Sequence, residues 1–148
     1  MHPVRNSVKA LIIRDNKLLC IKKCDQYGAY FILPGGGQEK DETFIETIQR
    51  ECKEEIGSNI NVGKLKYIRE YIGKNHEFSL TDTAHQVEYM FECELLEEPN
   101  MGNATNFDEG QEGIEWVEIT NSNDRVYPKV LIERLKNKYE EIYWGDIN

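Results

Sequence analysis

The stretch that most constrains what this chain can become runs from Leu33 to Gly57: a Leu-Pro-Gly-Gly-Gly turn, then Glu42, then Arg50-Glu51-Cys52-Lys53-Glu54-Glu55-Ile56-Gly57. Pro34 stops the short strand expected over 30–33, and Gly35, Gly36 and Gly37 let the backbone bend and approach a ligand closely. A helix is expected from about 43 to 56, with Gly57 as its stop residue. On that helix Glu51, Glu54 and Glu55 stand at i, i+3 and i+4, so their carboxylates emerge on adjacent turns of one face and repel each other.

At about 100° per residue, Phe44, Ile45, Ile48, Cys52 and Ile56 share one arc of roughly 120°, the face expected to meet the core. Glu51 and Glu55 fall at the edge of that arc and Glu54 just beyond it, with Glu46, Gln49 and Lys53 on the solvent side. Carboxylates at the rim of a core are costly without a cation or hydrogen bonds. Three together form a hard-oxygen site of the kind magnesium or manganese prefers, with positions left for water and substrate phosphates. The plain alternative is a solvated acidic face on a surface helix. Arg50 can bond Glu46 or Glu54 along the helix, but it cannot neutralise all three glutamates.

The pattern Gly36-x5-Glu42-x7-Arg50-Glu51-Cys52-x-Glu54-Glu55-x-Gly57 closely resembles the signature of the Nudix hydrolases. Every charged and glycine position of that signature is filled across residues 36–58; the departures are Cys52 and Ser58, where the family usually carries a larger aliphatic residue. The resemblance implies hydrolysis of a nucleoside diphosphate linked to another group, by attack of metal-activated water on phosphorus. It implies Mg2+, or Mn2+, as cofactor, with Glu51, Glu54 and Glu55 as ligands unless one of the three serves as general base. It also implies a backbone ligand at Gly36 and an Arg50 that orients a glutamate. Glu42 is read equally as a weaker ligand or as a helix-dipole partner. Many relatives draw a further ligand or base from a loop well after the motif. Here the polar stretch 97–113 holds Asp108, Glu109 and Glu112, and Glu109 is the candidate, against a solvated loop residue for each.

The 148 residues fit one domain, 1–148, long enough to bury roughly 70% of the surface its unfolded form exposes. A formal charge of −9 disfavours nucleic acid and anionic membrane as partners, since both demand a basic surface. It also opposes a polyphosphate substrate: residues 36–58 alone hold seven acids against three bases, a net of −4, which bound divalent ions would reverse locally. Cys20, Cys24, Cys52 and Cys93 show no Cys-x2-Cys spacing, so neither zinc nor a disulfide framework is indicated. With no run of 18 apolar residues, a soluble cytoplasmic protein is expected.

Runs 4–13 and 17–23, separated by Asp15-Asn16, read as a hairpin. Strands are expected over 61–72, 86–96 and 114–119, with His76, Asp82 and His85 in the polar connection between the first two. Pro128 opens a last helix in which Val130, Leu131, Leu135 and Ile142 recur, with Tyr139, Tyr143 and Trp144 as core or edge residues. This order suggests a mixed sheet between helices. It matches the single-domain α/β/α sandwich that the Nudix resemblance implies.

Arg69 and Tyr71 fall on a strand with alternating exposure, where they would meet phosphate and base, or else serve as surface or packing residues. His85 reads as incidental unless it helps a leaving group depart. The proline and the tyrosine that mark ADP-ribose and dinucleoside polyphosphate subclasses past the motif are replaced by Ile72 and Gly73, so neither subclass is indicated. The leading reading is a magnesium-dependent pyrophosphohydrolase of a small nucleotide or nucleotide sugar. The alternative is a Nudix-fold module that senses a nucleotide without turning it over; such modules usually lose motif carboxylates. Many relatives dimerise, which keeps a homodimer open.

Overall fold

The computed structural model describes residues 3–76, 83–103 and 111–148. The first expected hairpin strand is two strands: β1 (Arg5–Leu11) belongs to one sheet and β2 (Ile13–Arg14) to another, the chain crossing over at Ile12. Asp15 and Asn16 take the positive φ values, 51° and 60°, that a tight two-residue hairpin turn demands. They feed β3 (Lys17–Asp25), which pairs antiparallel with β2, with β4 (Gly28–Ile32) and, along its other edge, with β8 (Gln111–Glu118).

The glycines after Pro34 are the second departure. Gly35–Gly37 is a strand, β5, paired antiparallel to Lys9, Val8 and Ser7 of β1. Gly35 has φ 138°, and a Cβ there would overlap the Val8 carbonyl, so residues with side chains could not lie this close. β5 is the outermost strand of a five-stranded sheet ordered β5-β1-β7-β6-β9, with β6 (Ile60–Ile72), β7 (His85–Leu95) and β9 (Tyr143–Asp146). β1 runs parallel to β7 and β9 parallel to β6, while β6 and β7 are antiparallel, so the sheet is mixed.

α1 (Phe44–Ile56) begins at Thr43, whose hydroxyl accepts from the Glu46 N–H while the Glu46 carboxylate accepts from the Thr43 N–H. Gly57, at φ 65°, ends it by donating to the Lys53 carbonyl. Two further orphan carbonyls are met from the chain after β7: Asn100 N–H donates to Ile56 O and Gln111 Nε2 to Glu55 O. The helix buries Thr47, Ile48, Cys52, Glu55 and Ile56. Ile45, assigned to the core face from its periodicity, is 47% exposed. Thr47 takes that place, its hydroxyl held between Thr43 O and Glu42 Oε1.

Strand alternation divides the interior. Val8, Ala10, Leu19 and Ile21 face α1, whereas Leu11, Leu18 and Cys20 join Tyr67, Met90 and Leu131 on the other side. There α2 (Leu131–Lys136) covers the sheet, giving the α/β/α sandwich. α2 is far shorter than the helix expected after Pro128. Lys138, at φ 51°, turns the chain away; Ile142 is exposed, its carbonyl accepting from Ile68 N–H, and Tyr143 and Trp144 enter β9, where Trp144 packs on Tyr67 at 4.5 Å. All four cysteines are free thiols, three of them buried. Among the described residues no helix is long and apolar enough to cross a membrane.

Candidate active site

One guanidinium organises the acidic face of α1. Arg50 Nε and Nη2 donate to Glu42 at 2.7 and 3.0 Å, Nη1 donates to Glu51 at 3.0 Å and Glu54 at 3.3 Å, and Nη2 also reaches the Gly37 carbonyl at 3.2 Å. The fork thus ties the helix to β5 and gathers three carboxylates. Glu46, the other helical partner considered for Arg50, is engaged in the capping box instead. Glu55 is set apart by its burial: 2% exposed, it accepts the Gly35 N–H at 2.7 Å. β5 therefore supplies a donor to one motif glutamate and an acceptor to the arginine that holds two others.

Environment splits the carboxylates. The Arg50 hydrogen bonds hold the Glu42 carboxyl down at about 2, with the Glu39 N–H and the Thr47 hydroxyl assisting. Burial pushes Glu51 up, against the pull of Arg50 and with the neighbouring Glu54 charge adding to the rise. Glu42, of ordinary value 4.5, therefore contributes stability that is fully present above pH 4.5 and lost as pH falls toward about 2. Glu42→Gln is expected to lower the urea midpoint at neutral pH, with the gap to the wild type closing through that acid window. A gap independent of pH would contradict the ion-pair assignment.

Among the described residues no three Asp, Glu, His or Cys side chains already form a metal cage; the Arg50 guanidinium stands among Glu42, Glu51 and Glu54. The donor set nevertheless suits a hard cation, since Glu51, Glu54 and Glu55 offer only oxygen from one helix. Gly36 adds to the fit: a Cβ there would sit 2.5 Å from Glu51 Cδ and 2.6 Å from its Oε1, so only glycine leaves room between β5 and that carboxylate.

The structure separates the substrate candidates from that face. Arg69 lies on β6 directly opposite Glu88 of β7; both are buried, paired at 3.1 Å, and Arg69 Nη1 donates to Ile147 O. The Tyr71 ring is stacked on His76 at 5.0 Å, with the Arg69 guanidinium 5.5 Å from its centroid. His85 opens β7 and Glu112 is exposed on β8. Glu109 and Asp108, like Asp82, lie outside the described residues.

Sequence reasoning overlooked a cationic stripe. Arg5, Ser7 and Lys9 alternate along β1 and line a cavity of about 280 Å³ with the Arg69–Glu88 pair, Gln86 and Tyr127. Because β5 is the sheet edge, Lys9 is near both sides of it: its ammonium is 3.5 Å from Gly35 O, and its charge acts on Glu51. The period-two placement of Arg5 and Lys9 was the signal, masked by the apolar residues between them.

The NUDIX domain profile matches residues 3–135. An ADP-ribose pyrophosphatase of Methanocaldococcus jannaschii is 45% identical over 58 residues, 38% of this chain and 34% of that protein, so the chain matches about a third of that relative's length. The crystal structure of a MutT NUDIX hydrolase from Burkholderia pseudomallei superposes with a TM-score of 0.72 at 20% identity, covering 90% of this chain and 99% of that one. A UDP-X diphosphatase superposes with a TM-score of 0.70 at 18% identity, covering 99% of this chain and 68% of that one.

Proposed function

Because this chain belongs to the NUDIX family, a family of pyrophosphate-bond hydrolases, we propose that it cleaves the diphosphate linkage of a nucleoside diphosphate joined to another group, in a magnesium-dependent reaction. The observation that carries this reading is the complete set of motif carboxylates on α1, packed against a glycine strand with two cations behind it. Glu51, Glu54 and Glu55, with the Gly36 backbone, would hold the metal. When bound, it supplies Lewis acidity toward phosphate oxygens and water. Arg50 keeps Glu51 and Glu54 in place and is too committed to carboxylates to be spared for substrate. Where one of the three serves as general base instead of as ligand, it takes the proton of the attacking water. Lys9 and Arg5 offset the acidic field where the diphosphate must approach. Glu109 stays a candidate for an added ligand or base, and Arg69 and Tyr71 for contacts at the substrate's far end.

The names of the similar proteins, an ADP-ribose pyrophosphatase and a UDP-X diphosphatase, both describe a nucleoside diphosphate bonded to a second group. Phosphate and nucleotide release, with a coupled phosphatase, should therefore be measured with magnesium across ADP-ribose, nucleotide sugars, nucleoside triphosphates and dinucleoside polyphosphates. Turnover of one class, abolished by a chelator and restored by magnesium, is the expected result. No turnover of any member, with nucleotide still bound, would overturn hydrolysis in favour of a sensing module.

A further inference from the structure

The three glycines of β5 are glycines for different reasons. Gly35 has a positive φ and lies on the Val8 carbonyl, and Gly36 makes room for Glu51. Gly37 has no positive φ, and the three atoms nearest to a Cβ placed on it all belong to the Arg5 guanidinium: Nε at 2.5 Å, Cζ at 2.8 Å and Nη2 closer still. We propose that Arg5, seated in the space that Gly37 leaves empty, grips the diphosphate of the substrate, with Gly37 as its positioning residue. The proposal rests on the diphosphate-hydrolase reading for the identity of the anion and goes beyond it in assigning the side chain and its seat.

Arg5 is uncommitted. Arg14, Arg50, Arg69 and Arg125 are each paired with a carboxylate, and Arg134 lies over the Tyr139 and Trp144 rings. Among the described residues Arg5 has neither kind of partner, on a chain whose formal charge is −9. Its seat is nevertheless fixed. Gly37 stands opposite Ser7 in the β1–β5 register, Gln38 N–H donates to Asn6 O at 3.0 Å, and Asn6 Nδ2 donates to Gln38 Oε1 at 3.1 Å. From the other side Arg50 Nη2 donates to Gly37 O at 3.2 Å. One arginine thus holds this glycine by its carbonyl while the other lies against its Cα. A cation held in this way loses little freedom when an anion docks on it.

Charge and spacing select the occupant. Arg69 and Glu88 cancel within the cavity, so Arg5 and Lys9 leave it with a surplus of positive charge. The two cations meet β5 at different places: Lys9 Nζ is 3.5 Å from Gly35 O, whereas Arg5 lies on Gly37. Those seats are two strand residues, about 7 Å, apart. Two linked phosphoryl groups bridge such a span and a single one does not. The guanidinium fork also suits phosphate, whose oxygens it can take two at a time.

Calorimetry with magnesium present tests this without turnover. Methylenediphosphonate, which cannot be hydrolysed, and orthophosphate would be titrated into the wild type, Arg5→Ala, Arg5→Lys, Gly37→Ala and the Arg5→Ala/Gly37→Ala double variant, each checked by its melting temperature. Arg5→Ala should weaken the diphosphonate about tenfold and orthophosphate by no more than about twofold, because Lys9 still holds a single phosphoryl group. Arg5→Lys keeps the charge without the fork and should recover part of the loss. The guanidinium is the far end of a flexible side chain, so Gly37→Ala displaces it while the sheet stays intact. Gly37→Ala should therefore weaken the diphosphonate as Arg5→Ala does, and the double variant should be no weaker than either. Equal losses for both anions, no loss in Arg5→Ala, losses that add in the double variant, or no diphosphonate binding by the wild type would each overturn the proposal. Turnover of the nucleotide panel with KM unchanged in Arg5→Ala would overturn it and leave hydrolysis standing. Diphosphonate held through Arg5 by a protein that hydrolyses none of the panel would uphold the seat and overturn hydrolysis.

Discussion

Glu54→Gln should remove magnesium-dependent turnover by a factor of about 10² to 10³ while leaving the melting temperature nearly unchanged; the loss is of the size seen when one charge-stabilising group leaves an active site. The fold is spared because the side chain is 26% exposed and pairs with Arg50 Nη1 at 3.3 Å, a part-exposed ion pair of the kind that contributes at most about 1 kcal/mol. The carboxamide has nearly the same shape but no charge, so it fills the space and ligates magnesium poorly. Glu55 contrasts with it, since at 2% exposure it supports β5 through Gly35 and its replacement mixes structural with catalytic loss. Phosphate release and circular-dichroism melting, run on the same preparations, check both halves. Wild-type turnover in Glu54→Gln would refute the ligand assignment.

The parts of this molecule that were legible in the sequence are those where one local rule decides the outcome. Asp15-Asn16 can accept positive φ, Gly57 stops a helix, and the carboxylates at i, i+3 and i+4 share a face wherever the helix packs. The parts that were not legible depend on a distant partner. Three glycines read as a turn because nothing local says that β1 lies alongside; β5 is a strand only because Val8 O and Lys9 come close. Residues 143–146 look like the end of an amphipathic helix until β6 offers an open edge. The cavity lined by Tyr30, Tyr71 and Tyr127 is the extreme case, since these come from β4, β6 and the segment before α2, and no spacing rule joins them. Arg50 was legible as a positioning residue, but its longest reach, to Gly37 O, required knowing where β5 lies.

Arg50→Ala is expected to be the most destabilising change at the site, and its cost should shrink when metal is added. The guanidinium is 25% exposed and makes five hydrogen bonds, four to carboxylates and one to β5. Its removal leaves Glu42, Glu51 and Glu54 facing one another; a fully buried pair broken this way costs about 3–5 kcal/mol, and partial exposure here reduces that to about 2 kcal/mol. The penalty arises from ionised carboxylates, so it is fully present at neutral pH and fades as pH falls through the window in which Glu42 protonates, from 4.5 toward about 2. Magnesium binds the native carboxylate cluster better than the unfolded chain and so raises stability by mass action. In the wild type it shares those oxygens with Arg50, whereas in the variant it does not, so the magnesium-induced rise in melting temperature should be larger for Arg50→Ala. Arg50→Lys restores one charge without the fork, recovering part of the stability and little of the turnover. Urea titrations at neutral pH and at about pH 3, with and without magnesium, give all of these terms. If the variant were as stable as the wild type, with the same magnesium response, the guanidinium would not be what holds the acidic face of α1 to its glycine strand.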